Sequence, residues 1–139
     1  MQHLAIIPDG NRRWAKQNKI ASFLGHQRGT DVVRTAIVFC IKNSIKYLSF
    51  YTFSLENFRR SDTEKNYLFN TLLRDGVLKE LPELIKNGVR IRFLGDAALF
   101  PNDLRETISH VENETKHLNV LNLNLLFCYG STFEITAAV

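Results

Sequence analysis

Short apolar runs alternate along this chain with longer segments of helical period, the pattern of βα units wrapped around a mainly parallel sheet. Four runs read as strands: His3–Pro8, Tyr47–Phe53, Val89–Gly95 and Leu121–Tyr129. Between the first two, a helix predicted over Gln27–Lys42 puts Val32, Val33, Ala36, Ile37, Cys40 and Ile41 on one face. The segment Thr63–Asn87 repeats the helical period with Leu68, Phe69, Leu72, Leu73, Val77, Leu81, Leu84 and Ile85. Gly76 and Pro82 are expected to bend or divide it, since one weakens a helix and the other removes a donor. A third helix over Asn102–Leu118 turns Leu104, Ile108, Val111 and Thr115 inward. The fold class expected is α/β, a mainly parallel twisted sheet flanked by helices, with residues 1–139 in a single domain.

The last residues complicate that picture. Ser131 followed three positions later by Glu134 reads as a capping box, and a helix starting there has about one turn before Val139. Isolated helices need roughly 12 residues to be marginally stable, so the expectation is the N-terminal part of a longer domain, truncated at its C-terminus. At 139 residues with 45% hydrophobic positions, the chain can still bury roughly two thirds of its unfolded surface without a disulfide staple. Cys40 and Cys128 sit in apolar runs without CxxC spacing and read as buried free thiols of a reducing compartment. No run approaches the 18 or so apolar residues of a membrane span, and the N-terminal apolar run is too short for a signal peptide, which favours a cytoplasmic location.

Charge is distributed unevenly. The net +4 combines +7 over residues 1–60 with −3 over residues 61–139, which points the first half towards an anionic partner. The first strand runs into Pro8-Asp9-Gly10-Asn11-Arg12-Arg13-Trp14, at the carboxyl end of the sheet where ligands of open α/β folds bind. Gly10 permits close backbone approach, amides entering the next helical turn can cradle a phosphate, and Arg12 and Arg13 add charged donors. Asp9 would repel a phosphate unless a cation lay between them, a role that suits Mg²⁺. An ordinary Asp-Gly turn with solvated arginines has the same residues.

The second strand brings Phe53-Ser54-Leu55-Glu56-Asn57-Phe58-Arg59-Arg60 to the same edge: a hydroxyl, an amide, aromatics and two arginines. That set suits an anion with an apolar tail; a polar loop capping the next helix would also use it. His26, at a helix start facing both loops, is either structural or a donor to phosphate. His3, His110 and His117 have no partner at metal-ligand spacing. The absence of HExxH, GxxxxGK[ST], GxSxG and GxGxxG weakens zinc hydrolase, P-loop, serine hydrolase and Rossmann readings.

HLAIIPDGNRRWAK, GHQRG, YTFSLENFRRSDTE, VRIRFLGD and LNLNLLFCYGS, in this order and approximate spacing, resemble the cis-prenyltransferases of the undecaprenyl diphosphate synthase type. The resemblance spans nearly the whole chain and the first part of the family domain. It implies that Asp9 is catalytic and positions Mg²⁺ on the diphosphate of an allylic primer, and that Gly10, Asn11, Arg12 and Arg13 hold that diphosphate. Trp14 and His26 match further substrate-contacting positions. Ser54, Leu55, Glu56 and Asn57 match a second loop in which the asparagine assists proton removal. Phe58 and Arg60 match residues lining the site for isopentenyl diphosphate, and Glu64 falls on a recurrent acidic position.

The implied reaction condenses isopentenyl diphosphate with farnesyl diphosphate, forming a cis double bond at each step, towards the undecaprenyl lipid carrier of cell-wall synthesis. The resemblance also implies a homodimer in the full-length protein, contact with the inner face of the membrane through the lipid product, and no nucleic-acid partner. Departures are present: Pro8 stands for a common methionine, Arg12 for glycine, Ser22 for an arginine that reaches the primer, Thr52 for alanine, Phe58 for tryptophan and Ser61 for proline. The family's C-terminal Arg-rich loop and metal-completing glutamate lie beyond the resemblance, so the segment alone is expected not to elongate chains. A non-catalytic subunit of the same fold and a basic nucleic-acid-binding domain are the competing readings. The first conflicts with the intact Asp9–Trp14 loop, the second with arginines gathered in two strand-end loops.

Overall fold

A computed structural model of the chain describes residues 1–138. Its strands are β1 (His3–Ile6), β2 (Tyr47–Ser54), β3 (Val89–Leu94) and β4 (Leu121–Tyr129), all parallel, in the order β1-β2-β4-β3. The helices that return the chain are α1 (Asn11–Gln17), α2 (Ser22–Lys42), α3 (Asp62–Asn66), α4 (Gly76–Lys86), α5 (Asn102–Thr115) and α6 (Ser131–Ala137). This is the expected α/β sheet flanked by helices.

One face of the sheet supplies the core. Leu48, Phe50 and Phe53 of β2, Val89 and Ile91 of β3, and Leu121, Leu123, Leu125 and Phe127 of β4 are buried together with Ile37 and Cys40 of α2 and Leu81 of α4. At the carboxyl end of that face the rings of Phe53, Phe69 and Phe127 meet with centroids 5.0 to 5.3 Å apart. The alternate positions on the strands carry polar groups, and there Asn124 Nδ2 donates to Ser49 Oγ at 3.1 Å, with His3 Nε2 at 2.8 Å from the same hydroxyl.

The pairing of β2 with β4 is irregular near its end, with register shifts between Tyr51 and Phe53 and between Phe53 and Ser54. Thr52, opposite no partner, donates its hydroxyl to Leu126 O at 2.8 Å. Cys128, its counterpart on β4, has φ 53°. Bulges of this kind re-aim a strand end. Here both Phe53 and Phe127 stay on the buried face while Ser54 and Tyr129 continue in register.

Several sequence expectations change. The helix expected from Gln27 begins five residues earlier, at Ser22, and Val32 is 56% exposed because only the Ile37 and Cys40 side of α2 reaches the sheet. Residues 62–86 stay helical throughout: α3 passes into a π-helical stretch over Tyr67–Asp75 and then into α4. Gly76 takes ordinary helical angles. Pro82 sits inside α4, where the carbonyl deprived of a donor belongs to the exposed Leu78 and can be hydrated. The capping box at the last helix does not form. Gly130 is the N-cap, Ser131 is the first helical residue, and the Glu134 carboxylate accepts instead from the Tyr129 hydroxyl.

Candidate functional site

The carboxyl ends of β1 and β2 deliver two loops to one rim of the sheet. After β1, Gly10 adopts φ 95°, a left-handed angle that any side chain would resist, and α1 starts at the next residue. Asp9 turns back on this corner: one carboxylate oxygen accepts from the Gly10 amide at 2.5 Å and the other from Arg13 Nη2 at 2.8 Å. Both side chains of that ion pair are three-quarters exposed. Trp14 is 41% exposed.

The loop is seated on α2 through Gly25. A Cβ built there would lie 2.3 Å from the Asn11 carbonyl oxygen, and one at Gly29 would lie 3.0 Å from the Asn11 side-chain amide. Glycine at these two positions therefore lets α1 rest directly on α2, with the Asn11 side chain in the gap over Gly29. The same turn of α2 presents His26, which is buried.

After β2 the chain makes a 3₁₀ turn over Leu55–Arg59, and Ser61 then caps α3, its Oγ accepting from the Glu64 amide. Four residues separate Arg60 from Glu64 across that cap, so their side chains meet: Arg60 Nη1 donates to Glu64 Oε1 at 3.0 Å, and Nη2 donates to Asn57 Oδ1 at 3.0 Å. His26 Nε2 lies 3.2 Å from the same Glu64 oxygen, and Arg12 Nε lies 3.9 Å from it. Burial holds the His26 imidazole below its ordinary value, opposed by the hydrogen bond to Glu64 and assisted by the nearby Arg60 guanidinium. A ring protonated at Nε2 would donate across this contact to the Glu64 carboxylate.

These groups frame an open cleft of about 430 Å³ lined by Arg12, Glu56, Asn57, Arg59, Arg60, Ser61 and Glu64. The structure brings Arg12, His26, Asn57 and Arg60 together around Glu64. Asp9, Gly10, Asn11, Arg13 and Trp14 stand on the adjoining loop and make none of the cleft lining. Ser54 ends β2, and Leu55 packs over Gly130 at the end of β4 rather than in the cleft. Phe58 points into the core, its ring 5.2 Å from that of Phe53 in an edge-on contact. Glu56 lines the cleft with its carboxyl held below the usual value by its own backbone amide and the Ser54 hydroxyl.

Of the cleft residues, Arg59 reads in the sequence only as one of the second loop's two arginines, and Ser61 only as a departure from the family pattern. Glu64, noted there only as acidic, turns out to be the shared acceptor. The i, i+4 spacing of Arg60 and Glu64 across a Ser61 cap was the available signal. Among the described residues no group of three His, Cys, Asp or Glu side chains could hold a metal ion. No helix of the described residues is long and apolar enough to cross a membrane. Cys40 and Cys128 are free and buried, and burial pushes the Cys128 thiol up to about 12.

The chain is similar to known proteins. The chain is 41% identical over 138 residues to the isoprenyl transferase of Rickettsia bellii, covering 99% of this chain and 61% of that relative. It is 40% identical over 137 residues to the ditrans,polycis-undecaprenyl-diphosphate synthase ((2E,6E)-farnesyl-diphosphate specific) of Haemophilus ducreyi, covering 99% of this chain and 56% of the other. The crystal structure of lavandulyl diphosphate synthase from Lavandula x intermedia, in complex with dimethylallyl diphosphate, superposes with a TM-score of 0.93 at 28% identity, covering 99% of this chain and 58% of that one. The chain thus spans about three fifths of the length of the relatives it matches. A family model described as "Putative undecaprenyl diphosphate synthase" matches residues 7–139, from the end of β1 through both strand-end loops to the last residue. On that match, with a parallel sheet of the same shape beneath it, the chain belongs to the undecaprenyl diphosphate synthase family of prenyltransferases.

Proposed function

We propose that the protein acts as a cis-prenyltransferase, condensing isopentenyl diphosphate with an allylic diphosphate such as farnesyl diphosphate to give a long-chain cis-polyprenyl diphosphate. The observation that carries this reading is the meeting of Arg12 and Arg60, from two different loops, beside one polar cleft at the carboxyl end of the sheet. Two guanidiniums there offer forked donors to a diphosphate.

In this reading the first loop holds the allylic diphosphate. Gly10 leaves the backbone open to it, and Arg12 and Arg13 supply charge. Asp9 fits a Mg²⁺ site of the kind that uses one carboxylate plus substrate phosphates: it is exposed, at the loop corner, and among the described residues its oxygens are engaged by Gly10 N and Arg13. A bound Mg²⁺ would neutralise charge building on the departing diphosphate. Each Asp9 oxygen accepts one hydrogen bond and keeps a lone pair that could take the cation, with the Arg13 guanidinium beside it as a further donor to the phosphates.

The second loop serves isopentenyl diphosphate through Arg60 and Asn57. As the allylic C1–O bond breaks, the diphosphate leaves with the electron pair. The terminal alkene carbon of isopentenyl diphosphate bonds to C1, and loss of a proton from its C2 restores a double bond. Asn57 Oδ1, held by Arg60 Nη2, is a neutral acceptor of the cleft that would assist that proton's departure to the released diphosphate. The undecaprenyl carrier as product, the homodimer, the cytoplasmic location with contact at the membrane face, and Glu56 and Ser54 as substrate contacts belong to the same proposal.

The test is isothermal titration with farnesyl diphosphate and Mg²⁺ set against a short DNA duplex. Saturable, Mg²⁺-dependent binding of the diphosphate that Asp9→Ala weakens at least about tenfold, the loss of one charged contact, supports the reading. Equal or better binding of the duplex, with a steep salt dependence, would replace it with a nucleic-acid interface.

A further inference from the structure

Glu64 Oε1 is shared by three groups from three elements: His26 of α2 at 3.2 Å, Arg60 of the second loop at 3.0 Å, and Arg12 of the first loop at 3.9 Å. The carboxylate is mostly buried, with its side chain 16% exposed, and the His26 side chain is 9% exposed. From this geometry we infer that Glu64 is a positioning residue. It locks His26 as the tautomer protonated at Nε2 and holds the Arg60 guanidinium against Asn57, so that His26 Nδ1 is left as an unprotonated acceptor, while Arg12, 3.9 Å from the same carboxylate, keeps its donors for a ligand. The inference rests on the diphosphate reading above for its purpose, and on the three contacts for its content.

The physical reasoning runs through the donor count. A neutral imidazole has one donor and one acceptor, so committing Nε2–H to Glu64 decides the state of Nδ1. Arg60 spends Nη1 on Glu64 and Nη2 on Asn57, which fixes the plane of its guanidinium. Among the described residues the side-chain hydrogen bond of His26 is that of Nε2 to Glu64, and no buried side-chain nitrogen lacks a partner, so Nδ1 reaches solvent. Arg12, at 3.9 Å, is close enough to feel the carboxylate and too far for a hydrogen bond. One side chain thereby orients groups from both loops before any ligand arrives. Glutamine in its place still offers an acceptor to His26 and Arg60; alanine offers none.

The experiment reads the His26 ring nitrogens by ¹⁵N NMR at pH 7 in the protein and in its Glu64→Gln and Glu64→Ala variants, alongside titration with pyrophosphate and Mg²⁺. Expected are nitrogen shifts of a ring protonated at Nε2 in the protein and in Glu64→Gln, and averaged shifts of two exchanging tautomers in Glu64→Ala. Pyrophosphate affinity should fall about tenfold in Glu64→Ala and less than about threefold in Glu64→Gln, the difference between losing and keeping the acceptor. An unchanged tautomer in Glu64→Ala overturns the inference, as does an equal loss of affinity in both variants. Should Glu64→Ala fail to fold, a ring in Glu64→Gln that is not protonated at Nε2 overturns it as well. If the unaltered protein binds no pyrophosphate, the diphosphate reading fails, while the nitrogen shifts still decide whether Glu64 sets the ring.

Discussion

At the β3 edge of the sheet, the amides of Ile91 and Phe93 point away from β4, and α5 answers both: Thr115 Oγ1 accepts from Ile91 at 3.1 Å and Glu112 Oε1 from Phe93 at 2.8 Å. Thr115, fully buried, in turn donates to Val111 O at 2.8 Å. At the other rim, where β1 and β2 end, the polar groups are gathered and left open. Asp9 and Arg13 pair in full view of solvent, and the cleft between the loops is lined by three arginines and two glutamates with Asn57 and Ser61. The first region spends its hydrogen bonds on closing the fold, protecting an edge that could otherwise pair with another chain. The second leaves its charged pairs at an open cleft and an exposed loop, where a ligand can compete for them. Glu64 belongs to the second region, yet its mostly buried carboxylate is committed to partners from other elements, as the side chains of α5 are at the first.

That contrast can be broken most severely at the aromatic cluster joining the two regions. Phe127→Ala, removing a ring that meets Phe53, Phe69 and Phe100, should cost about 3–5 kcal/mol in the denaturant midpoint and disturb both rims together. A loss below about 1 kcal/mol would mean the cluster is not what joins them. Thr115→Val keeps the shape and deletes the acceptor for Ile91; a cost of about 1–3 kcal/mol is expected, from leaving a buried amide unpaired. If pyrophosphate binding also fell, the β3 edge and the ligand rim would not be separable as drawn.

A smaller effect should come from pH. Burial lowers His26 from its ordinary 6.5, against the raising influence of Glu64 and with the lowering influence of Arg60 and Arg12, so between the unfolded and folded values the unfolded chain binds more protons. The stability of the neutral ring is therefore fully present above about 6.5 and is lost as pH falls towards the folded value. Thermal unfolding of His26→Gln followed over this range should fall less steeply than that of the unaltered protein; parallel curves would contradict it. The least effect on stability belongs to Asp9→Ala, an exposed loop change expected within about 0.5 kcal/mol, although it should remove Mg²⁺-dependent diphosphate binding. A large fall in its melting temperature would show that the open rim is structural after all.

Much of this was legible in the chain. The four strands lie within two residues of the short apolar runs read as strands, because a sheet that supplies the core needs apolar residues concentrated in its strands. The inward positions of α5 were right to the residue, Leu104, Ile108, Val111 and Thr115, for the same reason. The start of α2 was misplaced because its first turns, Ser22 to Gln27, carry no apolar stripe; what holds them is the close approach of Asn11 to Gly25, a contact across sequence. The capping box at Ser131 does not form because a second local partner, the Tyr129 hydroxyl five residues before Glu134, takes the carboxylate.

By itself, then, the sequence determined the alternation of strands and helices, the two arginine-bearing strand ends, and the family that their motifs match. Periodicity and short motifs are local, and a parallel sheet translates them directly into place. Only the tertiary structure decided which donors meet. Glu64 lies 38 residues from His26 in the chain, and no pattern in either segment refers to the other. The parallel crossover from β1 to β2 laid α2 beside the second loop, the glycines of α2 let α1 settle on it, and a carboxylate four residues beyond Arg60 became the point where both loops are held.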